Sequence, residues 1–206
     1  MNEFDDAHLD WAKGDGLLPA IVQDADGGAV LMLGYMSREA LAQTRASGKV
    51  TFFSRSRQRL WVKGETSGNF LLLQSLHADC DSDAILVRAR PLGPTCHRGT
   101  QSCFGDDAAP PLAFIAELDA LIAGRERDRP AGSYTTRLFD EGIRRIAQKV
   151  GEEGVEIALA AVVQDEAATR DEAADLLFHL LVLLRARGIA LGEVVDVLRQ
   201  RHADKS

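Results

Sequence analysis

Asp79, Cys80, Asp81, Ser82 and Asp83 follow directly on the apolar run Phe70–His77 and set three carboxylates at two-residue spacing. In an extended chain, residues two apart share a face, so the aspartates are expected along one side and Cys80 on the other. Crowded carboxylates repel unless a hard cation sits among them, and oxygen ligands suit Mg2+ or Ca2+. An EF-hand is excluded, because its sixth position holds Ala84 instead of Gly and its twelfth holds Arg90 instead of Glu. The alternative is a solvated acidic turn. Cys96 and Cys103 follow in Pro94-Thr95-Cys96-His97-Arg98-Gly99-Thr100-Gln101-Ser102-Cys103. Three thiols cannot all pair, so together with His97 they read as zinc before disulfide. No C-x-x-C pair marks a zinc finger, and a missing fourth sulfur leaves room for water, as catalytic zinc requires. Three unrelated cysteines behaving as small hydrophobes are the other reading.

Two further clusters carry chemistry. Ser54, Arg55, Ser56, Arg57, Arg59, Trp61, Lys63, Glu65, Thr66 and Ser67 bring basic side chains and hydroxyls that suit a phosphate, with Trp61 placed to stack on a base. An exposed basic hairpin would look the same. Further on, Lys149, Glu152, Glu153 and Glu156 recur at three- and four-residue spacing beside the stripe Ile146, Val150, Ile157. Glu172, Asp175 and His179 edge a second apolar face made by Leu176, Leu177, Leu180 and Leu184. Carboxylates converging from two helices form an oxygen cage for Mg2+, the usual companion of a polyphosphate. Surface charge is the alternative, although Lys149 is the only base on the first acidic face. His179, taken singly, reads as a partly buried helix histidine.

The elements that must position these groups divide near the middle of the chain. Leu17–Gln23, Ala29–Leu33, Val50–Phe53, Leu60–Lys63, Phe70–His77 and Ala84–Arg90 are apolar, β-branched or aromatic runs bounded by turn residues, and read as strands. One helix interrupts them, capped by Ser37 and ended by Gly48. Beyond Pro110-Pro111 the pattern is helical over Leu112–Ala123, Thr136–Gln164, Arg170–Arg187 and Leu191–Arg201. The expectation is an α+β domain over residues 1–105, mostly β with one main helix. A linker over 106–111 and an all-α helical bundle over 112–206 follow. With 206 residues, 46% of them hydrophobic and 27% charged, the chain can bury a core and is not disordered. A net charge of −7 argues against general nucleic-acid or anionic-membrane binding. No apolar run approaches the roughly 18 residues of a membrane span. An acidic N-terminus is unlike a signal peptide, so a cytoplasmic location is expected.

Over nearly its whole length the sequence resembles a known pair of enzymes. Residues 16–105 are similar to phosphoribosyl-AMP cyclohydrolase through Gly34-Tyr35-Met36, Phe52-Phe53-Ser54-Arg55, the stretch from Leu60 to Asn69, Asp79–Asp83 and Cys96–Gly105. Residues from about 111 resemble phosphoribosyl-ATP pyrophosphatase through Ser133-Tyr134-Thr135, Lys149-Val150-Gly151-Glu152-Glu153, Glu156 and Glu172-Ala173-Ala174-Asp175. In this order they resemble the bifunctional enzymes of bacterial histidine biosynthesis. The resemblance implies that the second half converts phosphoribosyl-ATP to phosphoribosyl-AMP and pyrophosphate. Glu152, Glu153, Glu156, Glu172 and Asp175 would hold Mg2+, and Lys149 would add positive charge near the leaving group. The first half would then open the adenine ring with zinc-activated water. Cys80, Cys96 and Cys103 would hold Zn2+, Asp79, Asp81 and Asp83 would hold Mg2+, and His97 would move or orient a proton. Arg55, Arg57, Trp61, Lys63 and Thr66 would bind substrate. The cyclohydrolase resemblance further implies a homodimer whose zinc takes Cys80 from one subunit and Cys96 and Cys103 from the other. Two rival readings are a non-enzymatic zinc-stabilised module with a helical dimerisation domain, and a housekeeping nucleotide pyrophosphatase with a zinc-stabilised binding domain. The H-x-E and P-C-x-x-C strings of deaminases are absent.

Overall fold

The computed structural model describes Phe4, residues 6–105 and residues 109–203. Most of the acidic start, residues 1–3 and Asp5, and half of the expected linker, residues 106–108, lie outside the described residues. The chain forms two compact units, residues 1–114 and 115–206.

Among its described residues the first unit carries six strands, one main α-helix and a single 3-10 turn at Asp6–His8, the class expected for it. The strands are β1 (Leu18–Asp24), β2 (Val30–Met36), β3 (Thr51–Ser54), β4 (Arg59–Val62), β5 (Leu71–Ala78) and β6 (Ile85–Pro91). Four of them form a sheet in the order β2-β1-β6-β5, with β1 and β6 parallel and both outer pairs antiparallel. Leu18, Ala20 and Val22 of β1 are buried in alternation, as are Ile85, Val87 and Ala89 of β6. The parallel register sets Ala20 beside Ile85 and Val22 beside Val87, so one face of the sheet becomes core. That face packs with Met36, Leu41, Val50, Phe52 and Leu71. The helix α1 (Arg38–Ser47) begins where Ser37 accepts the Ala40 N–H and ends at Gly48, which is left-handed. β3 and β4 form a separate hairpin in which Phe52 faces Trp61, with ring centroids 5.1 Å apart.

The second unit is helical. It comprises α2 (Ala113–Asp128), α3 (Tyr134–Glu141), α4 (Ile143–Val163), α5 (Glu166–Ala186) and α6 (Leu191–Ala203). Its core gathers Ile122, Leu138, Ile146, Leu181 and Val182. Asp165 caps α5 by accepting the Ala168 N–H, which lets α4 reverse into α5 within two residues. One expectation fails here: Thr136–Gln164 is not a single helix. Gly142, at φ 85° and ψ 177°, closes α3 and opens α4, and a backbone at that φ cannot continue a right-handed helix.

Candidate active sites

A cavity of about 510 Å3 opens in the first unit between the β3–β4 hairpin with its following loop and the cysteine loop. Arg57, Trp61, Lys63 and Thr66 line it from one side, and Cys96, His97 and Cys103 from the other. The cysteine loop is pinned to β2: the Cys103 N–H donates to the Leu31 carbonyl at 2.8 Å, and the buried Ser102 hydroxyl donates to that of Val30 at 2.7 Å. A tight turn, with Cys96 N–H on the Thr100 carbonyl and Gly99 N–H on that of Cys96, then aims the first thiol. The Arg98 backbone N–H and the Thr100 side chain pull the Cys96 thiol below its ordinary pKa, towards the thiolate that binds metals. Burial pushes the Cys103 thiol up, and Cys96 adds to the rise. Burial lowers the Lys63 amine, while the two cysteines pull it back towards the charged form. His97 Nδ1 lies 3.9 Å from Cys96 Sγ. Two thiols, one of them acidified, with an adjacent imidazole form a soft donor set that fits zinc but leaves it short of protein ligands.

Asp79, Asp81 and Asp83 do converge, with carboxylate oxygens within 4.8 Å of one another. The cause is not strand alternation. β5 stops at Ala78, and residues 79–84 form the turn into β6 with Ser82 at φ 61°. Asp79 closes that turn by accepting the N–H groups of Asp83 at 3.0 Å and Ala84 at 3.1 Å. The Lys13 ammonium sits against Asp81 at 2.7 Å and Asp83 at 3.2 Å. Leu9 and Trp11, both buried, and the Asp10 N–H on the Ser82 carbonyl hold the N-terminal segment in place for that contact. Lys13 holds the Asp81 carboxyl below its ordinary range, and the two aspartates hold the ammonium well above its own. A cation already bridges these oxygens, and the hard donor set fits Mg2+. Cys80, on the same turn, is exposed, and among the described residues it forms no three-ligand group with Cys96 and Cys103.

In the second unit Glu153 and Glu156 of α4 meet Glu172 of α5, again within 4.8 Å. Glu153 is only 4% exposed, while Glu156 is exposed and Glu172 half-buried. Lys149 lies 2.6 Å from Glu153 and 3.0 Å from Glu152, and holds both carboxyls below their ordinary range. His179, also buried, has Nδ1 3.6 Å from Glu153 and 2.9 Å from the Asp175 carbonyl. Its Nε2 lies 2.9 Å from the Tyr134 hydroxyl, so α3 is tied to the carboxylates through one imidazole. Glu156 is raised instead, by its contact with Glu153, by burial and by the charge of Glu172. A carboxylate pushed towards its neutral form by two others has a local excess of negative charge, the condition a divalent cation relieves.

The structure thus gathers most of the expected residues and leaves four aside, Cys80 being the first. Arg55 does not line the cavity; its guanidinium lies 3.8 Å from the centroid of Tyr35. Glu152 turns to Lys149, Arg145 and Gln148, and Asp175 joins the site through its carbonyl, so both carboxylates stand outside the three-glutamate group. Sequence reasoning missed Lys13 and the anchoring part of Ser102. It also missed the part of Tyr134, whose only signal was its place in the Ser-Tyr-Thr string.

The family model of phosphoribosyl-AMP cyclohydrolase matches residues 32–105, and that of phosphoribosyl-ATP pyrophosphohydrolase matches residues 115–202. Several relatives carry the name "Histidine biosynthesis bifunctional protein HisIE", and three of them show the extent of the likeness. The one from Xanthomonas campestris pv. campestris is 66% identical over 194 residues, covering 94% of this chain and 93% of the relative. That of Xylella fastidiosa is 64% identical over 194 residues, with the same coverage of 94% and 93%. That of Escherichia coli is 57% identical over 202 residues, covering 98% of this chain and 99% of the relative.

Proposed function

Because the chain belongs to the bifunctional family of histidine biosynthesis that joins a phosphoribosyl-AMP cyclohydrolase to a phosphoribosyl-ATP pyrophosphohydrolase, we propose that each reaction runs on its own constellation in its own compact unit. The carrying observation is that the acidified thiol cavity lies wholly in residues 1–114 and the three-glutamate group wholly in residues 115–206.

In the helical unit Glu153, Glu156 and Glu172 would hold Mg2+, and the carboxylates of Glu152 and Asp175, which stand outside that group, would be further candidate ligands. Mg2+ held there would supply charge neutralisation for the triphosphate and so favour attack by water at the bond whose cleavage releases pyrophosphate. Lys149 keeps Glu153 ionised in a buried setting, and His179, fixed by the Asp175 carbonyl and Tyr134, keeps that carboxylate in place. In the first unit Cys96 and Cys103 would hold Zn2+ with Cys80 of a second chain, and Asp79, Asp81 and Asp83 would hold Mg2+. Zinc held there would supply a water acidic enough to serve as hydroxide near neutral pH. Trp61 offers the purine a face to stack on; Arg57, Lys63 and Thr66 offer its phosphate donors; His97, beside Cys96, is placed to carry a proton. The separation of Cys80 from the other thiols supports a homodimer. So does the apolar face of α4, where Val155, Leu159 and Val162 recur at helical spacing and are all more than half exposed.

Glu156→Gln keeps the shape of the side chain but loses the charge. It should abolish pyrophosphate release from phosphoribosyl-ATP and leave ring opening, assayed directly with phosphoribosyl-AMP, intact. Loss of both steps in a folded variant would overturn the two-site assignment.

A further inference from the structure

A second cavity, about 390 Å3, lies where the segment after α2 meets the first turn of α3. Arg129, Ser133, Tyr134, Thr136, Arg137 and Asp140 are among its lining residues. Its charge is arranged for an anion. Arg129 is held in place by Asp140 at 2.6 Å and by the Glu126 carbonyl at 2.7 Å, so the one carboxylate of the lining is already matched. Among the described residues the one carboxylate that Arg137 meets is a loose, exposed one, Glu141 at 3.8 Å, and its guanidinium lies 5.1 Å from the Tyr134 ring centroid. At the helix end Ser133 caps the Thr136 N–H, while the N–H groups of Tyr134 and Thr135 precede any intrahelical acceptor. An independent observation points the same way. Thr136 is 8% exposed and lines the cavity, yet its hydroxyl has no hydrogen-bond partner among the described residues. A buried donor without an acceptor is rare in a folded protein unless something else supplies one.

Tyr134 forms the wall between this cavity and the carboxylates, since its hydroxyl reaches His179, which in turn touches Glu153. We propose that the cavity binds the phosphate monoester of the phosphoribosyl group that phosphoribosyl-ATP carries on its adenine, and thereby selects that substrate over ATP. The inference rests on the reading that this unit cleaves phosphoribosyl-ATP. That substrate is anionic at two ends. The glutamates repel phosphate oxygens unless a divalent cation intervenes, so they suit the triphosphate. A guanidinium fork, the N-terminal end of α3 and a hydroxyl suit the other end with no cation. ATP carries nothing to place there.

The test uses the full chain with Mg2+, measuring pyrophosphate release from phosphoribosyl-ATP and from ATP. Arg137→Gln should lower the ratio of kcat/KM for phosphoribosyl-ATP to that for ATP by roughly 10- to 100-fold, the scale of charge-assisted hydrogen bonds. The loss should fall on KM, and Arg137→Lys should recover part of it. Thr136→Val should raise the same KM without lowering the melting temperature, because the hydroxyl serves no contact within the fold. Inorganic phosphate should inhibit competitively against phosphoribosyl-ATP, and more weakly in Arg137→Gln. An unchanged ratio in both variants, or inhibition by phosphate that is not competitive, would overturn the inference while leaving the activity intact. Failure of the unaltered protein to cleave phosphoribosyl-ATP would instead remove the reading beneath it.

Discussion

Gly34 lies on β2, and a methyl group built on it would stand 2.5 Å from Phe52 Cε1 and 3.0 Å from Phe52 Cγ. Carbon atoms in good contact stand about 3.5–4.0 Å apart, so Gly34→Ala requires a movement of roughly 1 Å. The ring has nowhere to go cheaply: Phe52 is fully buried and packs against Trp61 across the β3–β4 hairpin. Overpacking of this kind costs about 1–3 kcal/mol. For a unit of this size each kcal/mol lowers the melting temperature by about 4–8 °C, so a drop of roughly 5–20 °C is expected in the transition of the first unit. The function should follow, because any shift of Phe52 moves Trp61, which lines the thiol cavity. KM for phosphoribosyl-AMP should rise, and pyrophosphate release in the helical unit should keep its rate. Calorimetry of the full chain and the two separate assays measure these effects. Adding Phe52→Leu to Gly34→Ala should return part of the lost stability by making room for the methyl. A Gly34→Ala protein that melts as the parent does, or a double variant that melts lower still, would refute the close-packing argument.

Three further outcomes are expected. In a Glu156→Gln background, which silences the helical site, Lys13→Met should tighten Mg2+ binding a few-fold by calorimetric titration, since an exposed but competing cation is removed; weaker binding would show Lys13 to be an ally of the metal. Because the Glu156 carboxyl is held above its ordinary value and Mg2+ needs it ionised, affinity at the helical site should fall as the pH drops through that raised value. Binding there should release protons, read as buffer-dependent heats that vanish in Glu156→Gln. Cys80→Ala and Cys96→Ala should each lack ring-opening activity, yet co-refolding them should give about a quarter of parental activity through mixed dimers with one complete site; no recovery despite proven subunit exchange would place all three thiols in one chain's site.

Much of the fold could be read in the residues because local rules agree with the tertiary result. Ser37 and Gly48 bracket α1, turn residues separate six strands, and the alternation of β1 and β6 matches one buried face of the four-stranded sheet. The break at Gly142 was hidden because Leu138 before it and Ile146 after it bury into the same core, so apolar spacing runs on where the helix does not. The aspartate cluster was legible in composition but not in mechanism, since an Asx-closed turn brings together what strand geometry was expected to align. Lys13 could not be found, because it is 68 residues from Asp81 and has no local signature. The glutamates of α4 and α5 were read from helical spacing alone, but spacing cannot say which carboxylates of a face converge. Glu153, Glu156 and Glu172 do so, and Asp175, one turn below His179, does not.

Both acidic clusters have a lysine lodged against them, Lys13 in one unit and Lys149 in the other. An ammonium on its own stem is a counter-ion that cannot be diluted away, dialysed out or taken by a chelator. The carboxylates are therefore partly neutralised as soon as the chain folds, whatever the supply of metal. Folding and metal loading become separate events, unlike small metallo-domains that are unfolded without their ion. A cation arriving at either cluster enters by exchange with a tethered rival. Occupancy then follows the free concentration of the ion, and a chelated preparation should stay folded and regain both activities when metal is returned.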